Sequence, residues 1–252
     1  MEVVHRVPVI DRMMEMLGCL QRAGAPQGIR ELAANTRASR STVYRILNTL
    51  VAHDIAARRS GGLYTLGPRL LALAAAVPSA SPWQALSPAE QAMLNGLAAE
   101  TGETVKLSVR DNDEALCVAT AQGTSPMALA ASIGEYFPLH AGAASKVLLA
   151  FMPEDERQRV LAKPLRFCTE KTVTDPTALR AELGRVRRFG WAEDRGEYST
   201  SVRAVAAPVR DASGHVLGAM SIAHLADRSQ AEMAFFRAAV RRVAADMRRV
   251  VA

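Results

Sequence analysis

Long cationic and hydrogen-bonding side chains share one face of a predicted helix in residues 39–54. The face contains no acidic residue and consists of Arg40, Ser41, Tyr44, Arg45 and Asn48. Arginine, serine and asparagine side chains donate hydrogen bonds to phosphate oxygens and to base edges, so this face suits a groove of double-stranded DNA. An ordinary solvated helix surface has a similar composition, and the neighbouring segments decide between the two interpretations.

The helix itself is predicted from its apolar residues, which recur at helical spacing. They are Val43, Ile46, Leu47, Leu50 and Val51. Ser39 can cap the start of this helix. Upstream, residues 26–36 predict a shorter helix, and residues 36–38 a turn. Two short helices joined by a tight turn form a helix-turn-helix, whose second helix enters the major groove.

Residues 55–66 predict a β-hairpin directly after the helix. Two short extended runs flank Ser60, Gly61 and Gly62, and glycine supplies the positive φ that a tight hairpin requires. Arg58 and Arg59 lie on this hairpin. The helix-turn-helix therefore carries a basic wing.

Small residues at 142–145 lead into another predicted helix. Such residues let a ligand approach backbone amides closely, and amides at a helix start favour an anionic group such as a carboxylate. The same residues, Gly142, Ala143, Ala144 and Ser145, could instead permit only close helix packing. The sequence thus predicts a binding pocket but leaves this alternative open.

No residue pattern predicts a catalytic residue, a metal site or a cofactor. The five histidines, at positions 5, 53, 140, 215 and 224, form no HxxxH or HExxH pair. Lys146 follows small residues without P-loop spacing, and Ser145-Lys146 is not a Ser-x-x-Lys pair. Cys117 and Cys168 have no accompanying His/Asp motif.

Charge is concentrated in the first part of the chain. The 252 residues are enough for two domains, and residues 1–77 contain ten arginines, no lysine and five acids, about +5 of the total +6. This imbalance predicts that residues 1–77, and not the rest of the chain, bind a polyanionic partner. Three separated cysteines indicate reduced thiols of a cytoplasmic protein, and we find no signal peptide and no apolar run of roughly 18 residues.

The remaining elements are predicted from periodicity, caps and turn residues. A first helix begins at Pro8, with Ile10, Met13, Leu17 and Leu20 on its buried face, and an apolar helix at 68–77 precedes a connection at 78–82. The predicted helices of the second domain lie at 87–101, 153–162 and 175–190, with one further helix that ends at 151 and a last one that begins at 229. The predicted strands lie at 105–109, 115–121, 128–133, 202–210 and 216–223. Helices flanking a mixed, mostly antiparallel sheet make an α+β fold.

These motifs together resemble the IclR family of bacterial transcriptional regulators. The resemblance covers an N-terminal helix, IRELA, STVYRILNTL and a wing ending in LYTLG, and then the stretches 137–151 and 190–223. It implies a winged helix-turn-helix at 1–67, a linker helix and connection at 68–86 that pairs with a second copy, and a GAF-like effector-binding and oligomerisation domain at 87–252. Packing of the 68–77 helix against its own domain is the alternative. The DNA-binding residues are predicted to be Arg37, Ser39, Arg40, Ser41, Thr42, Tyr44, Arg45, Asn48, Arg58 and Arg59.

The resemblance also implies a pocket for an effector acid. In the family, the carboxylate is held by amides at the start of the helix and by polar side chains that map to Asp194 and Ser221. Ser145 replaces a usual glycine here, and two positions that are polar in some members are Ala204 and Ala223. We therefore expect a larger, partly apolar acid, with aromatic acids as candidates. The predicted effector-binding residues are Ala143, Ala144, Asp194, Ala204 and Ser221, with Met127, Leu129, Leu139 and Met220 as walls.

The sequence thus predicts a ligand-responsive, sequence-specific regulator rather than an enzyme. Its partners would be a double-stranded DNA operator, a small carboxylic acid and further copies of the chain as a dimer or tetramer, with no membrane association. One alternative is a DNA-binding protein whose second domain only oligomerises and binds no effector. Another is an enzyme fused to a regulatory head. The sign of control, repression or activation, is left open.

Overall fold

The computed structural model describes residues 7–75, 86–225 and 228–247. Residue contacts divide the chain into two units, Met1–Ser79 and Ala80–Ala252. Among the described residues, no helix has the length and apolar character needed to cross a membrane.

The first unit has the predicted winged helix-turn-helix. Its elements are α1 (Pro8–Ala23), α2 (Ile29–Thr36), α3 (Arg40–Ala52), β1 (Ala56–Arg58), β2 (Tyr64–Leu66) and α4 (Arg69–Ala75). The strands β1 and β2 pair antiparallel. Gly61 and Gly62 have φ values of 73° and 72°, and these positive values let the chain reverse direction between β1 and β2. The predicted hairpin is therefore confirmed.

The core of this unit is formed by the inner faces of the three helices together with the hairpin. Its most deeply buried side chains are Met16, Leu32, Val43, Leu47 and Tyr64. The predicted buried face of α1 was partly wrong, because Ile10 is 51 % exposed. The buried residues of α1 fall between Met16 and Leu20, while Met13 and Leu17 are only partly buried against the same core.

The linker helix predicted at 68–77 is described only in part. α4 begins at Arg69, and Leu71 and Leu73 are exposed apolar residues within it. Residues 76 and 77 and the predicted connection at 78–82 lie outside the described residues.

The second unit is an α+β fold around one sheet. Its elements are α5 (Pro88–Thr101), β3 (Thr104–Asp111), β4 (Glu114–Ala121), β5 (Tyr136–Pro138), α6 (Ala143–Phe151), α7 (Glu154–Leu161), α8 (Pro176–Phe189), β6 (Ala192–Asp194), β7 (Val202–Arg210), β8 (Val216–Leu225) and α9 (Gln230–Asp246). The strand order is β5-β4-β3-β8-β7-β6. Every described pair is antiparallel, so the sheet is not mixed.

Each face of the sheet packs against its own layer of helices. Val105 and Leu107 belong to the core that includes α5 and α9, whereas Ala219 and Ala223 belong to the core that includes α6 and α8. Successive strand residues point to opposite faces. The residues that alternate with Val105 and Leu107 therefore face the α6 side, and they are Thr104, Lys106 and Ser108.

The prediction of a strand at 128–133 was wrong. These residues form no strand, and the edge strand is β5 instead. The Leu129 carbonyl accepts hydrogen bonds from Thr104 Oγ1 at 2.6 Å and Gln122 Nε2 at 3.2 Å. Side chains thus satisfy this carbonyl where a strand would supply backbone amides. The short strand β6 was not predicted.

Candidate DNA-binding surface and ligand cavity

The outer face of α3 presents the predicted polar side chains to solvent. Arg40, Ser41, Arg45 and Asn48 are exposed, and Tyr44 is 48 % exposed. The opposite face is packed into the core through Val43, Ile46, Leu47 and Leu50. The packing of α3 into the core therefore leaves its whole outer face exposed for contact with another molecule.

Two of the predicted DNA-binding residues shape the start of α3. Ser39 Oγ accepts a hydrogen bond from the Thr42 amide at 3.2 Å and lies 2.9 Å from Thr42 Oγ1. Ser39 is therefore an N-cap residue, as predicted. Arg37 ends α2 with a φ of 50° and is exposed at the turn. The turn thus presents a cation beside the first residues of α3.

The arginines of the first unit are not neutralised by acids of the described chain. All ion pairs between described residues lie in the second unit, and none involves an arginine of residues 7–75. On the wing, Arg58 and Arg59 are exposed, and Arg59 Nε donates to Thr65 Oγ1 at 3.2 Å. Guanidinium groups at the turn, on α3 and on the wing, none in an ion pair with a described acid, form a surface suited to phosphates.

A cavity of about 170 Å³ lies on the α6 face of the sheet in the second unit. Strands β3, β7 and β8 form its floor, the start of α6 one wall, and β5 with the segments at 129–131 and 194–202 the remaining walls. Of the predicted effector residues, Leu129, Ala143, Ala144, Asp194, Ala204 and Ser221 line this cavity.

The helix α6 begins at the wall of this cavity without a side-chain cap. Its N-cap residue is Gly142, with a φ of 105°, whereas α3, α5, α8 and α9 are capped by Ser39, Ser87, Asp175 and Ser229. The amides of Ala143, Ala144 and Ser145 have no hydrogen-bond partner among the described residues. Three unpartnered amides at the positive end of a helix dipole can bind an anionic group.

Asp194 lines the cavity and also builds its wall. It is buried, and its Oδ1 accepts hydrogen bonds from the Gly196 amide at 2.9 Å and the Glu197 amide at 2.7 Å. Burial raises the pKa of Asp194, although the two amides and the charge of Lys146 oppose that change. The carboxylate therefore fixes the loop at residues 194–197.

Three of the predicted wall residues do not line the cavity. Met220 points to the α5 and α9 face, because it precedes Ser221 on β8 and neighbouring strand residues face opposite sides. Leu139 is buried in the core beneath α6, and Met127 is 63 % exposed. Their apolar character alone had favoured them as walls, without regard to strand parity.

Several lining residues were not predicted at all. Thr104, Lys106 and Ser108 come from β3, and Phe137 and Tyr198 stand edge to face with their ring centroids 5.1 Å apart. The alternation of polar with apolar residues along β3 was visible in the sequence. It marked Thr104, Lys106 and Ser108 as one face, but only the buried position of that face identified it as a cavity floor.

The residues considered for catalysis or metal binding have structural contacts. Lys146 is fully buried, and its Nζ contacts Glu182 and Glu197 carboxylates at 2.5 Å each and the Glu193 carbonyl at 2.6 Å. His140 Nε2 lies 2.8 Å from the Arg166 carbonyl. Within residues 7–75, 86–225 and 228–247, no three His, Cys, Asp or Glu side chains group as metal ligands.

Burial raises the pKa of Cys117 to about 11, so its thiol is not a ready nucleophile. It follows that none of these residues points to a reaction.

Two family models match the sequence. The IclR helix-turn-helix domain matches residues 9–60, and the model described as "Bacterial transcriptional regulator IclR C-terminal" matches residues 84–249. An HTH-type transcriptional regulator of Mycobacterium tuberculosis is 36% identical over 208 residues, which cover 82% of this chain and 78% of that protein.

Solved structures share the fold. The IclR of Thermotoga maritima has a TM-score of 0.72 and 22% identity, covering 96% of this chain and 98% of that chain. An IclR homologue from Microbacterium hydrocarbonoxydans, complexed with 4-hydroxybenzoate, has a TM-score of 0.64 and 24% identity, covering 95% of this chain and 98% of that chain.

Proposed function

The chain belongs to the IclR family of bacterial transcriptional regulators, and we propose that its second unit binds a small aromatic carboxylic acid that changes DNA binding by the first. The order of the two family matches supports this division of labour. We assign residues 1–67 to DNA binding, 68–86 to the linker, and 87–252 to effector binding and oligomerisation. The protein would act in the cytoplasm, where its operator lies.

The observation that carries the proposal is the uncapped start of α6. Its amides at Ala143, Ala144 and Ser145 line the cavity with no partner among the described residues. A carboxylate placed against them would receive charge-assisted hydrogen bonds and would complete the missing cap. Ser221 on the floor can donate a further hydrogen bond.

The remaining lining supports an acid with one ring. Cavities of roughly 150 Å³ hold a benzene molecule in other proteins, and this cavity has about 170 Å³. Phe137, Tyr198 and Leu129 supply apolar and aromatic contacts, and Ala204 and Ala223 leave room on the floor. A homologue that shares the fold is complexed with 4-hydroxybenzoate, which supports an aromatic acid as the candidate ligand.

The outer face of α3 would read the operator. Arg40, Ser41, Tyr44 and Arg45 would divide between base edges and phosphates, while Arg58 and Arg59 follow the backbone or a minor groove. One helix reads few base pairs, so at least a dimer on a near-palindromic operator is expected, and a tetramer also meets this requirement. A ligand acts on such an assembly only through different affinities for two arrangements of it.

Thermal melting of the full-length protein tests the ligand assignment. The panel comprises benzoate, 4-hydroxybenzoate and phenylacetate, with glyoxylate and pyruvate as small aliphatic acids. A ligand at 100 times its Kd stabilises the folded state by about 2.7 kcal/mol, so an aromatic acid should raise the melting temperature. A shift with the aliphatic acids alone would overturn the aromatic assignment.

The effect on DNA completes the test. Duplexes selected from a random-sequence pool by the purified protein supply the operator, and a gel-shift titration with and without the stabilising acid measures the change in operator affinity. If no acid in a broad panel raises the melting temperature while the operator is still bound, the second unit only oligomerises and the sensor proposal is wrong.

A further inference from the structure

Lys106 is a cation of the ligand cavity that the motifs did not indicate. It lies on β3 directly opposite Ser221 of β8, and both residues line the cavity. Its Nζ is 4.6 Å from the centroid of the Phe137 ring. Lys106 is thus placed on the cavity floor, between the predicted polar contact Ser221 and the aromatic wall.

The ammonium group of Lys106 has no ion pair within 4 Å in the described chain. Its Nζ also donates no hydrogen bond to a described residue, in contrast to Lys146 with its two glutamates. A contact with an aromatic face holds an ammonium group without neutralising it or using its three donors. A part-buried positive charge therefore remains available to a ligand.

The two acids that line the cavity do not change this conclusion. Asp194 Oδ1 accepts hydrogen bonds from the amides of Gly196 and Glu197, and its carboxylate attracts Lys106 only from beyond ion-pair distance. Glu135 is exposed and lies more than 4 Å from the ammonium group of Lys106, since no ion pair joins them. Among the described lining residues, Lys106 is the single cation.

We propose that Lys106 supplies the counter-charge for the effector carboxylate and makes the cavity select a monocarboxylate over its neutral analogue. The inference rests on the proposed function of the same cavity. A carboxylate that leaves water for a part-buried site needs a cation or several donors in return. The amides of α6 provide donors, and Lys106 provides the one full positive charge. A second carboxylate would lack a cation among the described lining residues.

The experiment compares acids with their primary amides, which have nearly the same shape but no charge. Benzoate, 4-hydroxybenzoate and phenylacetate, each with its amide, are titrated by calorimetry into the parent protein, Lys106→Met and Lys106→Arg. We expect Lys106→Met to weaken binding of the acid at least tenfold and to leave binding of the amide within about twofold. Lys106→Arg keeps the charge and should retain most of the acid affinity.

Two further variants control for other effects of charge. Lys163→Met removes a lysine that pairs with Asp113 outside the cavity, and it should change neither affinity. Glu135→Gln should strengthen acid binding slightly, because it removes an anion from the cavity mouth. Each variant is first melted without ligand, so that a folding defect is recognised.

The outcomes separate this proposal from the proposed function. If an acid binds the parent and Lys106→Met equally well, the cavity is an acid sensor but Lys106 is not its counter-charge. If the variant loses acid and amide affinity alike, Lys106 acts only by packing, and the proposal is again wrong. If no acid binds the parent, both proposals fail together.

Discussion

Two lysines of the second unit differ in what their charges can do. Lys146 is fully buried and surrounded by Glu182, Glu197 and the Glu193 carbonyl, so its charge joins α6, α8 and the cavity loop. Lys106 is part-buried, its Nζ lies over the Phe137 ring, and no ion pair joins it to a described acid. Partners, more than burial, distinguish a charge that stabilises the fold from one that can bind a ligand.

At the same scale, Arg45 is expected to contact the operator. It is exposed on the outer face of α3 and has no ion-pair partner among the described residues. Arg45→Ala should lower operator affinity about 5- to 150-fold, corresponding to roughly 1–3 kcal/mol, while acid binding stays unchanged. Fluorescence anisotropy with the selected operator measures the affinity.

The matched control is Arg22→Ala, which removes an arginine at the end of α1 whose guanidinium contacts Cys19 Sγ at 3.5 Å. It should weaken operator binding much less than the change at Arg45. Equal losses in the two variants would mean that net charge alone matters, and would remove Arg45 from the contact set.

Asp194 makes the stability of the folded protein depend on pH, and the burial of its carboxyl group determines the sign of that dependence. Its pKa is raised above the ordinary 3.8, so the folded protein binds this proton more tightly than the unfolded chain. Stability from this group is therefore present at low pH and lost as pH rises from the ordinary pKa through the raised one. Asp194→Asn should gain stability relative to the parent as pH increases across that interval.

Urea unfolding without ligand, at several pH values from 4 to 8, measures this difference. The contributions of other titratable groups to stability cancel when the variant and the parent are compared at the same pH. Asp211→Asn is the control of opposite sign, because desolvation raises the pKa of Asp211 but the hydrogen bonds and charge of His215 together lower it by more. A difference between Asp194→Asn and the parent that is flat with pH would contradict the assigned burial effect.

At the scale of elements, the start of α6 differs from the starts of the four helices that have a side-chain cap. Ser39, Ser87, Asp175 and Ser229 accept hydrogen bonds from amides in the first turns of α3, α5, α8 and α9. The helix α6 has a glycine at that position and a cavity in front of it. A side-chain cap there would fill the space against which a ligand is proposed to bind.

A pair of glycine substitutions tests this arrangement. Gly142 has a φ of 105°, so Gly142→Ala should cost about 1 kcal/mol or more and weaken acid binding by moving the α6 amides. Gly184 lies inside α8 with no atom within 4 Å of an added Cβ, so Gly184→Ala should stabilise by about 0.5–1 kcal/mol. Thermal melting with and without benzoate measures both effects. Unchanged acid binding in a folded Gly142→Ala would separate α6 from the ligand.

At the scale of the whole molecule, the two units differ in how they use charge. The first unit carries most of the net charge and none of the ion pairs between described residues, whereas acids and bases of the second unit pair extensively. Phosphate binding releases condensed counterions and depends steeply on salt. The cavity is part-buried, and salt screens charges inside it less effectively.

Operator affinity should therefore fall steeply between about 50 and 200 mM salt, while the melting shift caused by the acid changes little. Arg58→Ala on the wing should reduce the slope of log affinity against log salt by about one for each bound copy. Anisotropy titrations at four salt concentrations measure this slope. A slope unchanged by Arg58→Ala would mean that the wing does not contact the backbone.

The sequence by itself determined the helix-turn-helix, the wing, the helix caps and the β7–β8 pair, because periodicity, turn glycines and capping residues act over a few residues. It also located Ala143, Ala144, Asp194 and Ser221 through the resemblance to a family. Strand parity, readable in the sequence, already excluded Met220 from the face that carries Ser221.

Only the tertiary structure decided which strand face becomes the cavity floor. β3 pairs with β8, which follows it by about a hundred residues, and this non-local pairing brings Lys106 opposite Ser221. The pairing of β5 with β4 and of β6 with β7 places Phe137 and Tyr198 beside them. Local propensity contains no information about such pairing, because the free energy that fixes it comes from burying both sheet faces at once.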